Sequence, residues 1–196
     1  RGTKNPDLDR IHDLSPDLVV ANEEENRRID VEALRAKGIP VWVTDIRTVD
    51  GALESIERLL DLLDAPERSW LDDARAAWGG RAAYPPVRVT AVVAIWRRPW
   101  MWLGHDTYAG DLLRRLGVAN ALAGHAERYP RIAPADLPVH DLVVLPDEPY
   151  RFTAADGPEV FAGRPVALVD GQALTWYGPR MFGARTVLGQ ALGAAR

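Results

Sequence analysis

The residues with the most chemical potential in this chain are aromatic and cationic, and they gather where apolar runs end. The run 87–95 is followed at once by Trp96-Arg97-Arg98-Pro99-Trp100-Met101-Trp102, three indoles and two guanidinium groups within seven residues. A strand core does not call for that density. Stiff aromatic faces beside guanidinium groups suit a flat or bulky ligand with peripheral anionic or amide groups, so the cluster reads as a ligand wall. Four other apolar runs end in similar loops. Residues 18–21 lead into Asn22-Glu23-Glu24-Glu25-Asn26-Arg27-Arg28, and 41–43 into Thr44-Asp45-Ile46-Arg47. Residues 142–145 lead into Pro146-Asp147-Glu148-Pro149-Tyr150, and 166–169 into Asp170 and then Thr175-Trp176-Tyr177-Gly178-Pro179-Arg180. In parallel α/β sheets ligands bind beyond the carboxyl ends of the strands, where these loops would lie. The Glu23-Glu24-Glu25 run has two readings, a ligand-facing loop or a solvated helix N-terminus where acids favour the dipole. Trp70 and Trp78 have helical spacing and read as packing residues.

Reactive signatures are sparse. The chain has no Gly-x-Gly-x-x-Gly loop, no Walker-type phosphate loop and no Gly-x-Ser-x-Gly elbow. Its serines, Ser15, Ser55 and Ser69, fit turn, helix-surface and cap positions. The four histidines, His12, His105, His125 and His140, form no close ligand pair, so no metal site is expected. Cysteine is absent, which removes disulfides, thiolate metal sites and thiol nucleophiles together. A formal charge of -4 disfavours nucleic acid as a partner. No stretch reaches the ~18 apolar residues of a membrane span, and residues 1–10 lack the apolar centre of a signal peptide.

The elements that must position the loops alternate. Pro6 and Asp7 open a short helix through His12, and Ser15-Pro16-Asp17 turns into the strand 18–21. A helix carrying Ile29, Val31 and Leu34 stops at Gly38, and the strand 41–43 and a helix over 48–63 follow. Strand, helix, strand, helix with short connections implies a right-handed parallel α/β unit. Pro66 is placed to open a further helix that Gly79-Gly80 closes. Two helices in succession suggest a connector between two α/β lobes. The second lobe resumes with strands at 87–95, 141–145 and 166–169. It also carries a Thr107-capped helix stopped by Gly117, a short helix ending at Glu159-Val160-Phe161, and a last helix starting at Pro179. The expected architecture is therefore α/β: a lobe at 1–64, a helical connector at 65–84 and a lobe at 85–196.

Gly2-Thr3-Lys4-Asn5-Pro6-Asp7, Pro16-Asp17-Leu18-Val19-Val20-Ala21-Asn22 and Gly38-Ile39-Pro40-Val41 resemble the first lobe of the helical-backbone metal receptors. These are the cobalamin, haem and ferric-siderophore binding proteins of ABC importers. Residues 95–101, the helix from Thr107-Tyr108 to Leu116-Gly117 with Asn120, Glu148-Pro149-Tyr150 and Trp176-Tyr177-Gly178-Pro179-Arg180 resemble successive landmarks of the second lobe. The resemblance implies two parallel-sheet lobes joined by a rigid helix, ligand held in the cleft between them, and no chemistry on the ligand. Carried over by position, it implies a cleft lined by Asn22, Glu23, Glu24, Trp96, Arg97, Trp100, Tyr150, Trp176, Tyr177 and Arg180. It further implies docking on an importer permease through acidic residues, with Glu24, Glu25 and Asp30 as candidates, and an extracytoplasmic location. Members of the family carry a strand, a helix and a strand ahead of the Gly-Thr landmark, about a fifth of their length. A chain beginning at that landmark would expose a sheet edge open to self-association.

The leading reading is thus a binding protein without a catalytic cofactor, its ligand a metal chelate. A corrinoid ranks first because of the indole-rich wall. Haem or a ferric siderophore follows, because Arg97, Arg98 and Arg180 could pair with carboxylates or catecholate oxygens. The rival from another class is a cytoplasmic α/β enzyme acting on a small anionic substrate with Asp45, Asp106 or Glu148 as acid or base. A receptor-like domain that has lost transport is the third.

Overall fold

The computed structural model describes residues 2–79 and 84–195; Gly80, the second glycine of the expected helix stop, lies outside them. The chain divides into two compact units, Arg1–Asp45 and Ile46–Arg196.

In the smaller unit, helix α1 (Leu8–Asp13) starts at Asp7, whose carboxylate accepts the Arg10 N–H, as an N-cap should. Strand β1 (Val19–Asn22), helix α2 (Arg28–Ala36) and strand β2 (Val41–Thr44) form one strand–helix–strand unit, with β1 and β2 parallel and Val19 opposite Val41. Gly38 ends α2 at a φ of 80°, the left-handed region glycine enters at least cost. The buried apolar side chains are few: Ala21, Val31, Leu34 and Ile39.

The larger unit begins with α3 (Val49–Leu62) and α4 (Ser69–Trp78). Strands β3 (Val89–Arg97) and β4 (Trp100–Trp102), helix α5 (Tyr108–Arg115) and strand β5 (Val118–Asn120) come next. Strands β6 (Leu142–Pro146) and β7 (Val166–Val169) and helices α6 (Gly171–Thr175) and α7 (Met181–Ala194) complete it. Strand β3 is the centre of the sheet. It pairs in parallel with β5 along Val89–Ala91 and with β6 along Ala91–Val93, and antiparallel with β4 near its carboxyl end; β7 lies beyond β6.

Because side chains alternate along a strand, β3 and β6 feed two cores. Ala91, Val93, Leu142 and Val144 face the helices, where Leu53, Leu71, Trp78, Leu112, Leu113, Leu174 and Leu188 are buried. Val92, Ala94, Val143 and Leu145 face the other way, against Trp102, Leu122, Phe152 and Phe161. Continuous apolar strands are what a sheet covered on both faces requires.

Several expectations are adjusted by these contacts. The sequence sets the first boundary at residue 64, whereas Ile46, Val49, Ala52 and Leu53 are buried in the core of the larger unit, so the chain divides at Asp45. Helix α4, expected as the connector, packs on α3 and α7 within that unit. It begins at Ser69, not at Pro66, after a turn held by the Arg68 guanidinium on the Leu60 and Ala65 carbonyls. Helix α7 begins at Met181 rather than Pro179. Strands β4 and β5 and helix α6 were not expected at all.

Candidate functional site

The loops after β3, β6 and β7 leave the carboxyl ends of parallel strands and so emerge at one end of the sheet. Two of them are stitched together. The Gly171 N–H donates to the Asp147 carboxylate (2.7 Å), and the Gln172 amide to Glu148 (2.9 Å). A Cβ on Gly171 would fall 2.6 Å from the Glu148 backbone nitrogen, so only glycine allows this approach.

Four of the predicted residues meet here. Trp100 stacks on Trp102 (5.2 Å between ring centroids) and on Phe152 (5.7 Å); Phe152 touches Tyr150 (4.7 Å), and Tyr150 meets Trp96 edge to face (5.4 Å). The ladder runs from the fully buried Trp102 to Trp96, which is 40% exposed. Trp102 belongs to the core rather than to a ligand wall, because β4 pairs it across from the small Ala94 and its indole N–H reaches the Ile132 carbonyl (2.9 Å). Trp96, Trp100 and Tyr150 form the accessible end.

An ionic frame fixes that end. Arg97 forms ion pairs with Asp156 and Glu159, its guanidinium lying 5.7 Å from the Trp100 ring centre. The Tyr150 hydroxyl donates to Asp156 (2.6 Å), and Glu159 accepts the Gly157 N–H (2.6 Å). That N–H foremost, and Arg97 after it, hold the Glu159 carboxyl below its usual range, so it is ionised at neutral pH. Sequence reasoning missed Asp156 and Glu159. The available signal was Tyr150 followed by two acids within nine residues of an arginine-bearing strand's partner loop, too diffuse to single out.

The residues after β7 form a second group. Trp176 is exposed, Tyr177 meets Tyr108 edge to face (5.6 Å), and Arg180 lies 3.7 Å from Asp170, the cap of α6. Tyr108 is buried and its hydroxyl has no hydrogen-bond partner among the described residues; burial raises its pKa well above the tyrosine range.

In the smaller unit the predicted acids lie in a tight turn after β1 rather than on a helix N-terminus, since α2 starts only at Arg28. Asn22 builds the turn: its side-chain oxygen accepts the Glu24 N–H (2.9 Å), and its own N–H donates to Asn26 (2.8 Å). Lys4 reaches the Glu24 carbonyl (2.8 Å) and lies 3.7 Å from Glu25. Glu24 and Glu25 are exposed, but Asp30 is buried and clamped by both prongs of Arg27 (2.8 and 2.9 Å). Asp30 therefore leaves the set of outward-facing docking acids.

Two carboxylates of the enzyme reading have partners of their own. Asp106 pairs with Arg47, which keeps it below the usual aspartate range, and Glu148 accepts from Gln172. Among the described residues no cluster of three or more metal-ligating side chains occurs, and no helix is long and apolar enough to cross a membrane.

The class of fold follows from solved structures: it is that of the periplasmic, helical-backbone solute-binding proteins. The periplasmic vitamin B12 binding protein BtuF of Vibrio cholerae superposes with a TM-score of 0.74 at 19% identity, over 99% of this chain and 80% of that one. The periplasmic heme-binding protein BhuT in complex with two hemes gives 0.77 at 22% identity, over 98% and 81%. RhuT, a periplasmic heme-binding protein from Roseiflexus sp. RS-1 in its apo form, gives 0.72 at 20%, over 98% and 81%. By sequence, the chain is 24% identical over 130 residues to a vitamin B12-binding protein of Vibrio parahaemolyticus serotype O3:K6, covering 64% of this chain and 47% of that protein. The chain thus spans about half the length of that curated relative. No protein-family model matches.

Proposed function

We propose that this chain is the ligand-binding body of an extracytoplasmic receptor that binds a corrinoid and delivers it to the permease of an ABC importer. One observation carries the reading: an aromatic ladder ends in accessible Trp96, Trp100 and Tyr150, while the arginine beside it is neutralised by two acids of its own. A broad apolar face with no free cation at its centre favours a ligand whose rim bears neutral amides over one whose rim bears carboxylates. Likeness in fold to vitamin B12 and heme binding proteins supports the class. Trp176, Tyr177 and Arg180 are further ligand contacts of the larger unit, Asn22, Glu23 and Glu24 are the ligand contacts of the smaller one, and Glu24 and Glu25, both exposed, are the acids that meet permease arginines. The protein changes nothing covalent in its ligand.

Haem or a ferric siderophore is the second reading, favoured by one feature: Arg98, exposed at the tip of the β3–β4 turn, has no acidic partner among the described residues. Tryptophan fluorescence titration with cyanocobalamin, haem and ferric siderophores, corrected for inner filtering, separates the readings. Saturable quenching by cyanocobalamin, weakened in Trp96→Ala and Trp100→Ala, is expected. Quenching by haem alone, lost in Arg98→Gln, would replace the first reading by the second. A folded protein quenched by none of them would overturn both.

A further inference from the structure

At the opposite end of β3 from the aromatic ladder lies a cavity of about 440 Å³, lined by Pro85, Pro86, Arg88, Arg115, Leu116, Arg185 and Gly189. Its charge is one-sided. Among the described residues its wall holds no carboxylate, whereas three other cavities of similar size include Asp106 and Asp111, Asp50 and Glu54, or Glu23 and Glu32. Arg115 is neutralised by Asp50 and Asp111. Arg88 and Arg185 are not: their partners are backbone carbonyls, Leu116 for Arg88 (2.9 Å) and Ala77 for Arg185 (3.0 Å), with Arg185 also lying over the Trp78 ring (5.4 Å).

Each of these bonds matters for what the guanidinium can do next. A guanidinium carries five N–H donors in a planar fork, so one bond to a carbonyl leaves several free while fixing the plane. Arg185 is additionally levelled by the indole beneath it. Two forks held in advance lose less freedom on meeting an oxyanion than free surface arginines would. Pro85, Pro86 and Leu116 supply apolar wall, and Gly189 leaves the opening clear, since a Cβ there meets nothing within 4 Å.

We propose that this cavity is a second binding site, for a small organic molecule bearing a phosphate or carboxylate group. The oxyanion sits between Arg88 and Arg185 in charge-assisted, forked hydrogen bonds, and the organic part rests on Pro85, Pro86 and Leu116. The site is independent of the aromatic ladder.

The test is calorimetric titration at low salt with phenyl phosphate, benzoate and uncharged benzyl alcohol, with arginine side-chain NMR to locate the contact. One equivalent of phenyl phosphate or benzoate is expected to bind, shifting the Arg88 and Arg185 signals, and the tighter of the two identifies the oxyanion. Losing each charged hydrogen bond should weaken binding by about tenfold or more, in Arg88→Gln and in Arg185→Gln alike. Gly189→Leu keeps both arginines and fills the opening; it should weaken binding without disturbing the fold, because the position is a surface site in α7. Quenching by cyanocobalamin should be the same in all three variants. No saturable binding of either anion by the native protein overturns the proposal, as does binding that survives the double arginine substitution or Gly189→Leu, or equal binding of benzyl alcohol.

Discussion

The larger unit uses one ionic device twice, and the two copies differ in how much water they meet. Around Arg115 stand two carboxylates, Asp50 and Asp111, with a tyrosine hydroxyl, Tyr84, donating to Asp111 (2.5 Å) and its ring 4.9 Å from the guanidinium. Around Arg97 stand two carboxylates, Asp156 and Glu159, with Tyr150 donating to Asp156 and the Trp100 ring beneath the guanidinium. The first arginine is 1% exposed and its inner partner Asp111 10%; the second is 13% exposed and Asp156 37%. Arg115 ties α3, α4 and α5 together, since it also donates to the Trp78 carbonyl (2.9 Å). Arg97 ties a loop to a strand end and orients aromatic rings. The same groups serve as a structural fastening where dry and as a frame for a binding face where wet.

The comparison breaks first, if it breaks, on stability. Arg115→Met leaves the Asp111 carboxylate in a desolvated place with only the Val49 N–H and the Tyr84 hydroxyl as donors among the described residues. Removing one partner of a buried pair costs about 3–5 kcal/mol, a large share of the roughly 5–15 kcal/mol that holds a domain folded. Denaturant unfolding should show that loss. Asp50→Asn, at the exposed side of the same assembly, should cost less than about 1 kcal/mol. Equal costs for the two would mean that Arg115 acts as a surface pair does.

Arg97→Met tests the other half. Its acids are half in water, so unfolding should register only about 1–2 kcal/mol, from weak ion pairs and the lost ring contact. Ligand affinity should suffer more visibly. Without the frame, Tyr150 and Trp96 must be ordered by the ligand itself, at about 0.5–1.5 kcal/mol each, which weakens binding about tenfold. Fluorescence titration of a variant that remains folded measures this directly. An unchanged affinity would show that the rings hold one another in place without the ions.

What the sequence made legible follows the same division. The fold could be read wherever one residue type settles a local choice. Thr48 and Thr107 accept the Gly51 and Gly110 N–H groups as caps, and Gly38 and Gly117 end helices with positive φ. The all-apolar run 142–145 became β6 because a strand covered on both faces has no polar alternation to show, whereas β7 leaves Leu168 exposed on one face. Strands β4 and β5, three residues each, are too short to carry a period. Missing β4 is why Trp102 read as ligand wall: without the hairpin there is no register to set it opposite Ala94. In the candidate site, Trp96, Trp100 and Tyr150 stand out in the sequence by type and place. Asp156 and Glu159 were not, because they meet Arg97 across some sixty residues of chain, and nothing local marks an acid that will be met by a distant guanidinium. Asp30 failed in the opposite sense: an exposed-looking acid in the first turn of a helix folds under Arg27.

The smallest effect, and the sharpest, is in pH. The Glu159 carboxyl has its pKa lowered from an ordinary 4.5, by the Gly157 N–H and then by Arg97. A carboxylate depressed in the folded state contributes stability that is present above 4.5 and lost as pH falls through the lower folded value. The frame around Arg97 therefore loosens in acid. Tyr84 is shifted the other way, raised from 10.0 chiefly by its hydrogen bond to Asp111 and then by burial. Its contribution is present below 10.0 and lost as pH rises through the higher folded value, so the assembly around Arg115 loosens in alkali. Two single variants separate the ends: Glu159→Gln should flatten the stability profile below 4.5 while leaving its alkaline limb alone, and Tyr84→Phe should do the reverse. Denaturation midpoints across pH supply the profile, with tyrosinate absorbance following the alkaline limb. If either substitution moved both limbs, the two assemblies would be one coupled network, and the division between a dry fastening and a wet frame would fail.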